Sequence, residues 1–304
     1  MKQAALLLGL SLCSAGCLSF HRGAMPGEPS AALFAEVEGA RVRYTESGEG
    51  PAVVLIHGFA SSLETWTLVA PELAKTHRVI TLDLKGFGWT DRPPGDYSPK
   101  AQARLVLALL DQLGVKETAV VGHSWGASVA LAVALEQPER ITRIALYDAW
   151  VYEEQLPAFF QLARADGVGE ALFTLFYDER PDEKAALAFY NRRFLSEALV
   201  EEIEKALERP GTKAAALAAV RGQRYAAVQQ RYRTITAPVQ LLWGREDLVT
   251  PVTVADHLLS DLPDARLQIF PLCGHFPMLE AAKPSTAALL RFLDEKPSVA
   301  RSGR

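Results

Sequence analysis

Short, continuous apolar runs recur along the chain and predict buried β-strands. Each run is four to seven residues long, which is typical of strands that are covered on both faces of a sheet. The runs are residues 52–56, 78–82, 118–121, 141–147, 239–243 and 267–270. The alternating segment 41–45 predicts one further strand with a half-exposed face.

Segments of helical length lie between most of these runs. They are residues 63–74, 100–113, 126–137, 253–259 and 284–293. Parallel strands that are separated by helices need right-handed crossover connections. The pattern therefore predicts an α/β fold, with a mostly parallel sheet flanked by helices on both faces.

One long stretch, residues 150–233, interrupts this alternation. It has helix-compatible segments at 185–194 and 197–208, no strand-like run, and Trp150 with eleven further aromatic residues. A small helical lobe needs bulky side chains for its own core, and aromatic residues also line apolar pockets. We therefore predict an all-helical lid at 150–233, inserted between core segments 34–149 and 234–295 and followed by a tail at 296–304.

The N-terminus has the layout of an export signal. Lys2 precedes an apolar run from Ala4 to Leu12, which is too short to span a membrane, and small residues at 14–16 precede Cys17. Residues 14–17 resemble the lipobox of bacterial lipoproteins, although serine stands where leucine is usual. We predict a signal peptide at 1–16, a membrane tether through lipidated Cys17, and a Gly- and Pro-containing linker at 17–33.

This predicts an exported lipoprotein, on the periplasmic or outer-membrane side. Ordinary cleavage, giving a periplasmic or secreted protein, and an uncleaved anchor are the alternatives.

Composition narrows the classes of function. The chain of 304 residues is 49% hydrophobic and 22% charged, values that argue against disorder and against a polytopic membrane protein. A formal net charge of −4 argues against a nucleic acid as partner. Of three cysteines, only Cys273 lies in the predicted core, so no disulfide framework is expected.

The strongest chemical motif is residues 122–126, Gly-His-Ser-Trp-Gly, between a predicted strand and a predicted helix. A reversal this tight strains the central residue, and glycine on both sides lets the strand and the helix approach each other. The motif predicts Ser124 as an exposed nucleophile at a helix N-terminus.

A serine hydroxyl needs a base and a group that orients the base. His275 follows the last strand-like run, and Asp247 follows the strand at 239–243, so both fall at the carboxyl edge of the sheet. We favour His275 as base and Asp247 as acid. Asp148, which follows the strand at 141–147, and Glu246 remain alternatives for the acid.

Catalysis by a serine also needs donors for the oxyanion. Phe59 closely follows the strand at 52–56, and Trp125 directly follows the nucleophile. Their backbone N–H groups are the predicted oxyanion hole.

Together these motifs resemble the α/β-hydrolase superfamily with an inserted lid, over about residues 40–293. The resemblance rests on residues 57–59, 83–88, 122–126, 244–247 with Pro251, and 274–275 with Glu280. It implies Ser124, Asp247 and His275 as the catalytic triad and Phe59 and Trp125 as the oxyanion donors. The 83–88 motif is a structural loop in that family.

Ser124 favours acyl chemistry, because a serine hydroxyl forms an acyl-enzyme from a carbonyl substrate. The epoxide hydrolases and haloalkane dehalogenases of the superfamily also have Trp after the nucleophile, but their nucleophile is an aspartate that attacks alkyl substrates. We therefore expect an esterase that works through an acyl-enzyme on a small-molecule ester, without a metal or organic cofactor. An amidase or aminopeptidase resembling the proline iminopeptidases, and a ligand-binding protein without activity, are the alternatives.

Overall fold

The computed structural model describes residues 18–295, and eight strands form one sheet at its centre. The strands are β1 Leu33–Val37, β2 Ala40–Ser47, β3 Ala52–Ile56, β4 Arg78–Leu82, β5 Thr118–His123, β6 Ile141–Tyr147, β7 Val239–Gly244 and β8 Ala265–Phe270. Their spatial order is β1-β2-β4-β3-β5-β6-β7-β8. Strand β2 runs antiparallel to β1 and β4, and all the other pairs are parallel.

Eleven α-helices accompany the sheet in the described part of the chain. They are α1 Ala70–Leu73, α2 Pro99–Gln112, α3 Trp125–Glu136, α4 Ala158–Ala163, α5 Val168–Phe176, α6 Pro181–Ala186, α7 Glu197–Glu208, α8 Thr212–Gly222, α9 Thr253–Asp261, α10 Pro277–Glu280 and α11 Ala282–Leu293. Five short 3-10 turns lie at Leu63–Trp66, Pro138–Arg140, Glu153–Gln155, Arg192–Phe194 and Gln229–Thr234.

The two faces of the sheet are covered by different helices, because successive side chains of a strand point to opposite faces. In β3, Val54 and Ile56 pack into the cluster that contains side chains of α2, α3 and α9. Val53 and Leu55 pack into the other cluster, with side chains of α1, α10 and α11. The prediction of an α/β fold with a mostly parallel, helix-covered sheet is confirmed.

Two details of the core differ from the sequence prediction. The segment 63–74 is not one helix, because a 3-10 turn ends at Trp66 and the short α1 then begins at Ala70, with Pro71 in its first turn. Strand β1 was not predicted, because this edge strand alternates irregularly and only Val37 is buried.

Between β6 and β7 the described chain contains only helices and turns, and we call residues 150–233 the helical insertion. Helix α7 matches the predicted segment 197–208 closely. The predicted helix at 185–194 is wrong, since α6 ends at Ala186 and a separate 3-10 turn covers Arg192–Phe194.

The segment 18–32 differs from the flexible linker that its composition predicts. The Gly23 N–H donates to Asp91 Oδ1 at 2.8 Å, Met25 is buried, and the first described residue, Leu18, packs against the insertion. Glu28 also accepts a hydrogen bond from Arg41 at 2.8 Å. These contacts hold the segment on the core, because they join it to strand β2 and to the loop before α2.

The predicted signal peptide, Cys17 and the tail at 296–304 lie outside the described residues. Among the helices of residues 18–295, none combines the length and the apolar character that crossing a bilayer requires.

Candidate active site

The turn between β5 and α3 holds Ser124 in a strained conformation. Ser124 has φ 52° and ψ −123°, a left-handed backbone that costs a non-glycine residue free energy. The turn is fixed by the Ser124 N–H, which donates to the carbonyl of Tyr147, and by the Ser124 carbonyl, which accepts from Ala127 and Trp150.

The two glycines of the turn are required by close packing. A Cβ atom on Gly122 would lie 2.5 Å from the carbonyl oxygen of Gly126. A Cβ atom on Gly126 would lie 2.3 Å from the carbonyl oxygen of His57. Any side chain at either position would therefore push the helix away from the sheet and move Ser124.

Asp247 and His275 are joined at the carboxyl edge of the sheet. The Nδ1–H of His275 donates to Asp247 Oδ2 at 2.7 Å, and Thr250 Oγ1 donates to the same oxygen at 2.6 Å. The backbone N–H groups of Val249 and Thr250 donate to Asp247 Oδ1 at 2.7 and 3.0 Å. The carboxylate is thus held on both oxygens, with one of them aimed at the imidazole.

The electrostatics of this pair favour an ionised acid. Burial raises the pKa of Asp247, but the attraction of His275 and the hydrogen bonds from His275 and Thr250 outweigh it and hold the pKa below its ordinary value. Thr250 could not be singled out from the sequence, because nothing distinguishes it there except its position three residues after Asp247.

The two competing acids take other positions. Asp148 is buried, and its Oδ1 accepts the N–H of Gly244 at 2.9 Å rather than the imidazole Nδ1–H. Glu246 Oε2 accepts the N–H of Cys273 at 3.0 Å and so ties the loops after β7 and β8 together. Of the three candidates, Asp247 is the one that hydrogen-bonds the His275 ring.

Ser124 and His275 have no hydrogen bond between them in the described residues, although both lie at the carboxyl edge of the sheet. His123, beside the nucleophile, has its ring centroid 4.7 Å from that of His275, and its Nε2 donates to the His275 carbonyl at 2.8 Å. Contacts between a nucleophile and its base are often loose without substrate and tighten when substrate binds. The serine–histidine link is the one contact of the predicted triad that this structure leaves open.

Gly274 lets the loop that carries His275 lie against the helical insertion. A Cβ atom there would lie 2.6 Å from the carbonyl of Ala188, so the glycine allows close approach to the insertion. The His275 N–H then donates to the same carbonyl at 2.7 Å. Glu280 Oε1 accepts the Gly274 N–H at 2.8 Å, which fixes the loop from the other side.

His57 and His123 are held neutral. His57 Nδ1 donates to the Gly58 carbonyl at 2.7 Å, and its Nε2 accepts the N–H of Leu84 at 2.9 Å. Burial lowers the pKa of His57. Burial, and then the neighbouring His275, lower the pKa of His123 well below its ordinary value. Both rings support the loops as neutral hydrogen-bonding groups.

The backbone N–H groups of Phe59 and Trp125 have no hydrogen-bond acceptor within residues 18–295. A Cβ atom on Gly58 would lie 3.0 Å from the Ser124 Cβ, so the segment that leads to Phe59 runs directly against the nucleophile. Two unengaged donors beside a serine are what stabilisation of an oxyanion requires.

An aromatic wall covers this edge. The Phe59 ring lies 6.2 Å from Trp125, 5.3 Å from Phe160 and 6.5 Å from Tyr177, measured between ring centroids. Phe160 belongs to α4 and Tyr177 directly follows α5, so the insertion forms part of the wall. Ser124 is only 7% exposed.

Within the described chain, Asp148, Asp247 and His275 lie close enough together to hold a metal ion. Ligand atoms of Asp148, Asp247 and His275 lie within 4.8 Å of one another. The Nδ1 atom of His275 already donates to Asp247, so a metal bound by both would have to replace that proton. The donor set therefore fits an acid–base pair better than a cation.

Comparisons with known proteins support the fold assignment. A family model for the alpha/beta hydrolase fold matches residues 51–282. An uncharacterised protein of Mycobacterium tuberculosis is 32% identical over 279 residues, which cover 88% of this chain and 82% of that protein. A 2-hydroxymuconate semialdehyde hydrolase of a Pseudomonas species is 28% identical, over 87% of this chain and 94% of the relative.

Among solved structures, a meta-cleavage product hydrolase of Pseudomonas fluorescens has a TM-score of 0.75 and 25% identity, and the match covers 86% of this chain and 97% of that one. The family and two of these three proteins support hydrolysis as the general class of reaction. The chain belongs to the α/β hydrolase fold family.

Proposed function

We propose that this protein is a serine hydrolase that cleaves small carboxylic esters through an acyl-enzyme. The observation that carries the proposal is the 2.7 Å hydrogen bond from His275 Nδ1 to Asp247, at the same sheet edge as the strained Ser124. A buried carboxylate that fixes an imidazole is the arrangement by which a serine becomes nucleophilic.

In the first half-reaction, Ser124 Oγ attacks the ester carbonyl carbon while His275 Nε2 accepts the hydroxyl proton. Asp247 stabilises the resulting imidazolium through Nδ1 and keeps the ring in the tautomer that accepts at Nε2. The carbonyl oxygen takes up the negative charge and receives the N–H groups of Phe59 and Trp125. Collapse of the tetrahedral intermediate breaks the ester C–O bond, and His275 returns the proton to the leaving alkoxide.

The second half-reaction repeats these roles with water. His275 takes a proton from water, the hydroxide attacks the acyl carbon, and Ser124 leaves with that proton as the free acid forms. Neutral His57 and His123 take no part in these transfers, since both are engaged in backbone hydrogen bonds.

The aromatic wall supports an apolar acyl or alcohol group of modest size. Ser124 is 7% exposed, and we expect the insertion to shift when an ester enters the site. Phe160 and Tyr177 approach Phe59 from the insertion and are the side chains that such a shift would move.

A second candidate is hydrolysis of a meta-cleavage product. The observation that favours it is the similarity, over most of both chains, to a 2-hydroxymuconate semialdehyde hydrolase and to a meta-cleavage product hydrolase. Amide hydrolysis on the same residues is the third possibility.

A substrate panel with matched variants separates these candidates. Purified enzyme is assayed with p-nitrophenyl esters of increasing acyl length, with aminoacyl anilides and with 2-hydroxymuconate semialdehyde. We expect the highest kcat/KM with an ester, and loss of that activity in Ser124→Ala. A higher kcat/KM with the semialdehyde or an anilide would replace the ester assignment.

The panel also tests enzymatic function itself. Equal background hydrolysis by the wild type and Ser124→Ala, across all three substrate classes, would favour a ligand-binding protein. A circular dichroism spectrum that is unchanged in Ser124→Ala shows that the comparison is made between folded proteins.

The export proposal is separate and rests on residues 1–17 alone. We expect the protein to fractionate with membranes, and Cys17→Ser to release it. An equal distribution of both proteins would contradict lipidation of Cys17.

A further inference from the structure

Asp148 is a buried acid that the proposed mechanism does not use. It directly follows β6, is 0% exposed and has φ 44°, a left-handed backbone conformation. A buried aspartate in a strained conformation is costly, and such strain persists where the surrounding structure enforces it.

Only one of the two carboxyl oxygens of Asp148 accepts a hydrogen bond in the described chain. Asp148 Oδ1 accepts the N–H of Gly244 at 2.9 Å, while Oδ2 is buried and has no conventional donor beside it in the described chain. The Asp148 carbonyl is also within 3.1 Å of Thr250 Oγ1, the hydroxyl that bonds to Asp247. The Asp148 backbone thus lies against the hydroxyl that bonds to the acid of the proposed triad.

Asp148, Asp247 and His275 have polar atoms that all lie within 4.8 Å of one another. Two carboxylates at this separation cannot both be ionised in a water-free site without a large repulsion. Asp247 receives four hydrogen bonds and faces the imidazole, whereas Asp148 receives one. The geometry therefore favours the proton on Asp148.

The other titratable groups around Asp148 do not change this balance. Glu280 on α10 and the Cys273 thiol both belong to the surroundings of Asp148, and Glu280 adds a further negative charge. His123 is held neutral, so it adds no positive charge beside Asp148. Burial, followed by the charge of Asp247, raises the pKa of Asp148 well above its ordinary value.

We propose that Asp148 is a positioning residue that stays protonated and donates its Oδ2–H to the Asp247 carboxylate. The oxygen without a conventional donor then becomes the donor, and Asp247 gains a fifth hydrogen bond. In this role Asp148 transfers no proton. Its hydrogen bond holds the Asp247 carboxylate in the orientation that accepts the Nδ1–H of His275. The role in activity rests on the proposed function, but the protonation state does not.

Two substitutions separate the hydrogen bond from the charge. Asparagine keeps an acceptor for Gly244 and an N–H donor for Asp247, whereas alanine removes both. We expect kcat of Asp148→Asn to stay within about threefold of the wild type. We expect Asp148→Ala to lower kcat about tenfold with little change in KM, because one hydrogen bond to a charged group is lost. The acidic limb of the pH profile of kcat/KM reports protonation of the catalytic base. Its midpoint in Asp148→Asn is expected to stay within about 0.3 pH units of the wild-type midpoint.

A stability measurement tests the protonation state without any activity. It compares Ser124→Ala with Ser124→Ala carrying Asp148→Asn, by thermal unfolding between pH 4 and pH 7. A carboxyl whose pKa is raised in the folded state stabilises the protein below its unfolded pKa, and this stability is lost as pH rises towards the folded value. We expect the asparagine protein to gain at least about 2 °C relative to its parent between pH 4 and pH 7.

The results that would overturn the proposal are distinct. Asp148 is ionised if the melting-temperature difference between the asparagine protein and its parent does not grow with pH. Asp148 is also ionised if Asp148→Asn lowers the acidic limb of the kcat/KM profile by about one pH unit or more. Wild-type kcat in Asp148→Ala means that Asp148 positions nothing. A loss in Asp148→Asn as large as in Asp247→Asn would make Asp148 the catalytic acid. If the wild type has no activity on any substrate, the proposed function fails while the stability result still stands.

Discussion

The sheet edge and the helical insertion contribute to the site in different ways. At the edge, helix α3 has ten of its twelve residues buried, and glycines hold the turn against neighbouring carbonyls. In the insertion, α6 and α7 contain no buried residue. Leu162, Leu175 and Leu187 are 59%, 58% and 59% exposed there.

The two regions are built for different tasks. The edge holds the Ser124 turn by backbone hydrogen bonds and joins Asp247 to His275 at 2.7 Å, and its close packing resists displacement of these residues. The insertion contributes aromatic side chains and the Ala188 carbonyl to the site. Its helices α6 and α7 have no buried residue, as expected of elements that open at low free-energy cost. Substitutions in the edge should therefore change chemistry and stability, and those in the insertion should change selectivity.

The largest expected effect is on the acid. Asp247→Asn forces the wrong tautomer on His275 and should lower kcat about 10⁴-fold, measured on the best ester of the panel. Glu246→Gln is the matched control, because glutamine can still accept the N–H of Cys273 and should stay within about threefold of the wild type. A mild effect of Asp247→Asn, together with a large effect of Asp148→Asn, would reverse the choice of acid.

The second prediction compares one glycine from each region. Gly126→Ala should lower the free energy of unfolding by about 3 kcal/mol, because its Cβ would lie 2.3 Å from the His57 carbonyl. Gly167 in the insertion has φ +76° and open space, so Gly167→Ala should cost only about 1 kcal/mol. Urea unfolding measures both, and equal losses would contradict the contrast in packing.

The third prediction concerns selectivity. Phe160→Ala removes a ring that lies 5.3 Å from Phe59 and should raise KM roughly tenfold for long or aromatic acyl esters, with little change for acetate. Leu162→Ala, on the same helix but 59% exposed, is the control and should leave both values unchanged. A uniform fall in kcat for all esters would place Phe160 in the chemistry rather than in the pocket.

The smallest effect is expected from an ion pair inside the insertion. The hydrogen bonds from Arg221, at 2.7 and 2.9 Å, lower the pKa of Glu170 to about 2. A lowered pKa stabilises the folded state above the unfolded pKa, and this stability is lost as pH falls through the folded value.

Because Glu170 is partly exposed, solvent screens the pair, and Glu170→Gln should cost only about 0.5–1 kcal/mol at neutral pH. The cost should vanish between about pH 4 and pH 2. Thermal unfolding across this range measures it, with the exposed Glu183→Gln as control. A cost that persists at pH 2 would show that the charge of Glu170 is not its source.

The same contrast explains how far the sequence could predict the structure. The strands at 52–56, 78–82 and 141–147 were predicted with correct bounds, because strands buried on both faces are continuous apolar runs. Helices α4, α5 and α8 were not predicted individually. The helices α4 and α5 have only six and nine residues, and the alanine-rich α8 shows little contrast between polar and apolar faces.

The candidate site follows the same logic. Ser124, Asp247 and His275 could be selected because each closely follows a predicted strand, and the carboxyl ends of parallel strands meet at one edge. The sequence could not exclude the two other acids near that edge, Asp148 and Glu246, because the choice depends on which carboxylate meets the imidazole Nδ1. It also could not predict which hydroxyl would donate to Asp247, since this depends on how the loop turns.

The most direct test of the central claim is the intact mass of the protein after treatment with a fluorophosphonate, followed by peptide mapping. We expect one adduct, located on Ser124, and none on Ser124→Ala treated in parallel. A wild-type protein that takes up no reagent, or an adduct that persists in Ser124→Ala, would contradict it.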